Sequence, residues 1–252
     1  MNKELQQLLQ SLRLPTIFLA LIWVVHLLKS LSGNDVAWTE YGIYAQEWNG
    51  FKGILFAPLI HADWLHLASN SLPFFVTGAF MVLFYPGVAA RAFVMLYFLT
   101  GLMVWLFARS YVYHIGASGV VYGMVSFLFW CGVFRRSPKA IFLALGILSL
   151  YGGMFEGILP KQPSVSWESH LYGGLVGIFV AYYFKNELEE DELPQKKWAQ
   201  IPYENRPFFL PRDIFDMTKE ERRLREEELA RQAWIEQQQQ LNPWNSSSTG
   251  GF

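Results

Sequence analysis

Charge is sparse between Leu14 and Phe184 and dense after it, and this asymmetry restricts the possible folds more than any single motif. A soluble helical domain keeps a charged face on each helix, whereas runs such as Phe93-Val94-Met95-Leu96-Tyr97-Phe98-Leu99 are apolar all round. Six apolar segments follow one another at about 14–28, 67–85, 88–107, 120–134, 140–159 and 171–184. Charged residues are only 16% of the chain, against about 25% in ordinary soluble domains. The expectation is an all-α polytopic protein whose solvent is a lipid bilayer, with six transmembrane helices. The fourth and sixth segments read as the shortest, covering about 22 Å at helical rise of a hydrocarbon core about 30 Å thick.

Lys3 and Arg13 precede the first segment, and no small-x-small cleavage site follows it, so it reads as a retained span rather than a signal peptide. His26 and Lys29, near its far end, read as snorkelling or interfacial groups. Basic residues collect before span one, at Arg91, at Arg135, Arg136 and Lys139, and at Lys185, Lys196 and Lys197. The positive-inside rule then puts both termini in the cytoplasm, with a bacterial inner membrane as the expected compartment. The even-numbered spans therefore begin at the outer face. The net charge of −1 averages an apolar body with a charged tail, and no nucleic-acid partner is expected. The single cysteine, Cys131, forms no internal disulfide and reads as a packing residue.

The chain divides into a membrane domain at 1–185 and a charged cytoplasmic tail at 186–252. Residues 186–211 read as a proline-punctuated linker and 242–252 as disordered. Thr218-Lys219-Glu220-Glu221 resembles a capping box that opens one solvent-exposed helix at about 218–240, with Glu221 and Arg225 as an i,i+4 pair. The tail is a candidate surface for a cytoplasmic partner.

Three polar elements open the even spans at the outer face: His66-Leu67-Ala68-Ser69-Asn70 at span two, Ser118 at span four and His170 at span six. Polar groups in hydrocarbon are costly and face a protein interior or a hydrated cavity, so their common depth suggests one shared pocket. His66 and Asn70, four residues apart, share a helix face. A serine hydroxyl becomes a useful nucleophile when an imidazole removes its proton. A helix N-terminus at Ser118 stabilises negative charge developing on a nearby carbonyl oxygen. Taken singly, Ser118 reads as a cap or packing residue, His170 as an interfacial histidine and Asn70 as an interhelical donor.

His66-x-x-x-Asn70, Gly116-Ala117-Ser118-Gly119 and His170-x-x-Gly173-x-x-x-Gly177, in this order on spans two, four and six, resemble the rhomboid family of intramembrane serine proteases over roughly residues 50–185. The resemblance implies a six-helix bundle with a membrane-associated loop after the first helix. It implies a catalytic dyad of Ser118 as nucleophile and His170 as general base. It gives His66 and Asn70, with the Ser118 backbone N–H, the oxyanion hole, and makes Tyr122 the ring stacked on the imidazole. Gly116, Gly119, Gly173 and Gly177 become close-packing positions, with Gly173 and Gly177 forming a GxxxG. The implied substrates are transmembrane proteins whose helices unwind locally, and no cofactor is implied.

No third triad member stands out. Glu168 lies two residues before His170 and points elsewhere on a helix, and both it and Asp63 read as solvated interfacial charges. His61 and His114 also lie near the outer face, but no HExxH or similar ligand spacing accompanies them, so no metal is expected. The segment 32–65 carries Trp38, Tyr41, Tyr44, Trp48, Phe51 and Trp64, which suits the headgroup region. It lacks the Trp-Arg pair common in the family's loop, which leaves its conformation open. Two other function classes stand beside the protease: a catalytically silent rhomboid-like protein that binds membrane clients, and a small transporter. The silent form typically lacks Ser or His, and a transporter would show paired repeats or mid-span acids.

Overall fold

Each apolar run is helical in the computed structural model, which describes residues 3–160, 166–192 and 216–241. The first is α1 (Lys3–Ser32). The connection after it is built of α2 (Asp35–Thr39), β1 (Ile43–Tyr44) and α3 (Gly53–Phe56), with 3-10 turns at Trp48–Gly50 and Ala57–Leu59. Then come α4 (Trp64–Phe84), α5 (Ala89–Phe107), β2 (Tyr113–His114), α6 (Ser118–Arg135) and α7 (Pro138–Tyr151). A 3-10 segment at Gly152–Ile158 continues α7, and α8 (Trp167–Tyr183) follows.

Ser11–Ser32, Trp64–Phe84, Ala89–Phe107 and Ser118–Arg135 are long and apolar enough to cross a membrane. Ile17, Leu72, Phe142 and Phe179 turn their side chains outward, a surface that hydrocarbon tolerates and water penalises. The chain is an all-α polytopic membrane protein. One detail of the sequence reading is corrected: the fourth span is not among the shortest, because its helix extends over 18 residues, Ser118–Arg135. The short members are α7, with 14 residues, and α8, with 17. Such helices fit a bilayer that thins locally around them.

Local chemistry sets the boundaries. The Asp63 carboxylate accepts from the His66 N–H at 2.8 Å and caps α4, satisfying an otherwise orphaned donor. Ser137 caps α7 ahead of Pro138 at the first helical position, where the missing proline N–H costs nothing. α6 forms the core against which α4, α5, α7 and α8 pack, with Phe74, Tyr85, Leu96, Met124, Phe127, Leu128 and Phe184 buried around it. Cys131 is buried on α6 and forms no disulfide.

The aromatic connection after α1 is anchored at two places. β1 pairs antiparallel with β2, Ile43 opposite His114 and Tyr44 opposite Tyr113. Trp48, Phe51 and Trp105 form an aromatic cluster, and the Trp105 indole N–H donates to Glu47 O at 2.9 Å.

At the opposite end of the bundle, residues 186–192 are clasped to the helices rather than extended as a free linker. Arg91 binds the Glu187 carboxylate, and the Gly87 N–H donates to Glu189 at 3.1 Å. Arg135 and Glu192 pair at 2.5 Å with both side chains fully buried. Ser137 Oγ donates to the second Glu192 oxygen at 3.0 Å, and the Arg135 guanidinium lies over the Tyr85 ring.

The chain separates into two compact units, Met1–Leu193 and Pro194–Phe252. The second contains α9 (Lys219–Leu241). Thr218 Oγ accepts from the Glu221 N–H at 3.3 Å while the Glu221 carboxylate accepts from the Thr218 N–H at 2.7 Å, the reciprocal capping box. That backbone hydrogen bond holds the Glu221 carboxyl below its usual range. Arg223 pairs with Glu227 at 3.5 Å along the exposed helix. The rest of the expected linker, from residue 193, and the segment 242–252 lie outside the described residues.

Candidate active site

Ser118 is the first residue of α6 and His170 lies in the first turn of α8. The Ser118 hydroxyl and His170 Nε2 are 2.8 Å apart. On the other side of the ring, Nδ1 lies 2.9 Å from Gly157 O. A carbonyl only accepts, so Nδ1 carries the proton and the neutral imidazole presents its Nε2 lone pair to the hydroxyl. His170 is 9% exposed, which limits competition from bulk water for that lone pair. The Tyr122 ring stacks on the imidazole at 4.1 Å and 5°, and its hydroxyl donates to Met154 O at 2.7 Å. Two carbonyls of the 3-10 segment Gly152–Ile158 thus hold both rings.

That close approach depends on the absence of side chains between α6 and α8. A Cβ on Gly173 would overlap Gly119 O, and one on Gly177 would meet Gly123 O at 2.5 Å and the Ser126 Cβ at 2.6 Å. Gly119 itself lies against Ser169 O. Gly123 was not singled out from sequence, although Gly119-x-x-x-Gly123 is a second small-residue repeat on the facing span. The two repeats meet.

The other two expected residues reach the site differently. His66 Nδ1 accepts from the Ala62 N–H at 3.4 Å, which leaves Nε2 as the protonated nitrogen, and the ring covers Gly116. A Cβ on Gly116 would be 2.8 Å from His66 Nε2, and Gly116 has φ +107°, a conformation suited to glycine. The Asn70 amide donates to His66 O at 2.9 Å, so one of its two N–H groups is spent on its own helix and one remains. Asn70 is buried on α4. Ser118, His170 and Tyr122 are therefore in direct contact, His66 borders the turn before Ser118, and Asn70 lies one helical turn deeper.

Groups outside the expected set complete the surroundings. His61 Nε2 accepts from the Ala117 N–H at 3.3 Å, and the Gly116 N–H donates to Ala57 O at 2.9 Å. Burial, then the neighbouring His66 imidazole, pushes the His61 pKa down to about 3. His114 Nδ1 lies 2.6 Å from Ser166 Oγ, which is 2.6 Å from Ser169 Oγ. Burial likewise lowers the His114 pKa.

Several charges sit differently from the sequence reading. Glu168 is 3% exposed and pairs with Arg109 at 3.2 Å. It is a buried ion-pair partner rather than a solvated charge. The pair ties the start of α8 to the end of α5. His26 and Lys29 are buried, not interfacial: His26 meets the Trp64 ring edge-on, and Lys29 binds the chain at 61–62. Asp63 is exposed beyond its capping bond. Among the described residues, no cluster of three or more His, Cys, Asp or Glu is placed to hold a metal ion.

Fold and site together define a polytopic helical membrane protein with a part-buried hydroxyl–imidazole pair near one end of its central helices. Residues 47–187 match the Rhomboid domain family, and the chain belongs to the rhomboid family. An uncharacterized protein of Mycobacterium tuberculosis is 36% identical over 173 residues, covering 66% of this chain and 71% of that relative. An uncharacterized protein of Mycobacterium bovis is likewise 36% identical over 173 residues, 66% of this chain and 71% of its own. An uncharacterized protein of Mycobacterium leprae is 30% identical over 197 residues, 72% of this chain and 74% of its own.

Proposed function

We propose that this protein is a serine-type intramembrane endopeptidase that cleaves transmembrane protein substrates. The observation that carries the reading is the 2.8 Å contact between Ser118 Oγ and a His170 Nε2 left unprotonated by the Gly157 carbonyl.

Ser118 Oγ attacks the carbonyl carbon of the scissile bond as its proton passes to His170 Nε2. The imidazolium then protonates the leaving amine, and an acyl group remains on Ser118. A water, deprotonated at the same nitrogen, releases the acyl group as a carboxylate and restores the hydroxyl. Negative charge on the tetrahedral oxygen is met by the Ser118 N–H at the start of α6, by the remaining Asn70 N–H and by His66 Nε2–H. Removing one such donor typically costs about 2.7–4 kcal/mol of barrier. His66 suits that role because Ala62 has already fixed its tautomer. The site lies at the outer face, with both termini cytoplasmic by the distribution of Lys and Arg, and a substrate helix must unwind locally to present an extended bond. The membrane domain acts as the catalytic unit, and the charged tail is a separate cytoplasmic extension.

The test is cleavage of a transmembrane reporter by purified protein in liposomes. Wild type is expected to cut, and Ser118→Ala and His170→Ala to lose at least about a thousandfold in turnover. Equal cleavage by all three would overturn the reading, and absence of cleavage by wild type across reporters with helix-weakening residues would favour a client-binding role.

A further inference from the structure

We propose that Lys29, a charged residue inside the first transmembrane helix, is a positioning residue for the oxyanion side of the site. The kinetic part of this inference rests on the protease reading; the structural part does not.

Lys29 is 4% exposed, and a buried ammonium needs an acceptor for each of its three donors. It has three: His61 O at 3.1 Å, Ala62 O at 2.7 Å and the Asp35 carboxylate at 3.1 Å. Two of those acceptors are successive carbonyls of one turn. One helical turn earlier on α1, His26 packs edge-on against Trp64, with ring centroids 4.4 Å apart. The end of α1 therefore grips residues 61–64 at two points.

What that turn carries gives the grip its consequence. The His61 imidazole takes the Ala117 N–H, and Ala57 O takes the Gly116 N–H. The Ala62 N–H fixes the His66 tautomer, and His66 lies over Gly116. The segment 57–66 thus occupies the two backbone donors before Ser118 and leaves the Ser118 N–H as the next donor in the row. Lys29 touches neither Ser118 nor His170, and no substrate atom need approach it. Its action is through the turn: it sets where His61 and His66 sit relative to the start of α6. Catalytic geometry tolerates little displacement, since an error of about 1 Å can cost about a hundredfold in rate.

Lys29→Met keeps an unbranched side chain only one atom shorter and removes all three donors. Its turnover on the reporter is expected to fall about ten- to hundredfold, with KM within about twofold of wild type because substrate binding surfaces are untouched. Lys29→Arg, which keeps donors, should recover most of the loss. In amide hydrogen exchange, the segment 114–118 of Lys29→Met should exchange about tenfold faster than in wild type, while 95–104 on α5 is unchanged. Unaltered turnover in Lys29→Met, or unaltered exchange at 114–118, would overturn the proposal. A uniform loss of protection with activity falling in step with the folded fraction would also overturn it, leaving Lys29 a stability residue. Should Lys29→Met not fold, Lys29→Arg and Asp35→Asn decide: both keep donors on the two carbonyls and should stay within about threefold of wild type with KM unchanged, and a deeper loss in either sinks the idea. Ser118→Ala is run alongside; if it cleaves like wild type, the protease reading fails and the exchange result alone judges Lys29.

Discussion

Among the described residues, the group behind the His170 imidazole that fixes its tautomer is the Gly157 carbonyl rather than a carboxylate. A Cβ at 157 would overlap the Tyr122 hydroxyl and lie 3.1 Å from His170 Nδ1. Gly157→Ala is therefore expected to lower turnover about a hundredfold with little change in unfolding temperature, read from reporter kinetics in liposomes beside a thermal melt. Tyr122→Phe keeps the stacked ring and loses only the bond to Met154 O, so its turnover should fall no more than about fivefold, whereas Tyr122→Ala removes the ring and should lose more. Residues of this kind differ in how far sequence reveals them. Ser118 and His170 are legible because their residue types stand out at the mouths of alternate apolar runs, whereas only the family resemblance singles out Tyr122. The carbonyls of Gly157 and Met154 are not legible, since every residue carries one and only the fold selects it. Glu168 and Lys29 were misread for a related reason: charges at the ends of apolar runs usually face water, and the partners that bury these two, Arg109 and the turn at 61–62, are remote in sequence.

His61 adds a residue-scale prediction about pH. Its folded-state pKa, about 3, lies well below the ordinary value of 6.5, so the unfolded chain binds the proton more readily. The stability it contributes is present above about pH 6.5 and is lost as pH falls toward about 3. Protonation would also remove the lone pair that holds the Ala117 N–H. The unfolding temperature should drop between about pH 7 and about pH 4.5, and drop less in His61→Gln; identical slopes in the two proteins would refute this.

At the scale of elements, the contact between α6 and α8 is set by two facing rows of small residues, Gly119 with Gly123 and Gly173 with Gly177. Small residues let helix backbones approach in a medium that gives no hydrophobic drive for association. Gly177→Leu is expected to destabilise the bundle by about 1–3 kcal/mol and to reduce turnover, measured by unfolding in detergent and by reporter cleavage; a neutral result on both would mean the helices have room to spare. The number and order of the apolar helices were legible from composition and the lengths of the apolar runs. Their ends were less so, because Ser118, Asp63 and Ser137 mark boundaries by capping and backbone geometry that hydropathy does not register. The small elements of 32–65 escaped the sequence reading altogether: β1 exists only by pairing with β2, some seventy residues away, and a two-residue strand has no period to detect.

For the whole molecule, the end opposite the active site is closed by charge. Arg135 and Glu192 are both fully buried and bonded to each other. Breaking a buried pair by removing one partner typically costs about 3–5 kcal/mol, because the other charge is left uncompensated. Glu192→Ala should destabilise the membrane unit on that scale in a chemical or thermal melt, while an Arg135→Met, Glu192→Leu double variant should recover much of the loss. A double variant as unstable as the single one would show that the pair matters for more than mutual neutralisation. Sequence alone placed Arg135 among residues that report orientation, which conceals its burial.

The clasp at 186–192 also tells an experimenter where to cut. Removing the charged extension after residue 192 spares Glu187, Glu189 and Glu192 and their partners on α5, on α6 and in the turn before α5. Trimming after 185, where hydropathy places the edge of the membrane domain, strips Arg135 of its counter-ion and opens the floor of the bundle.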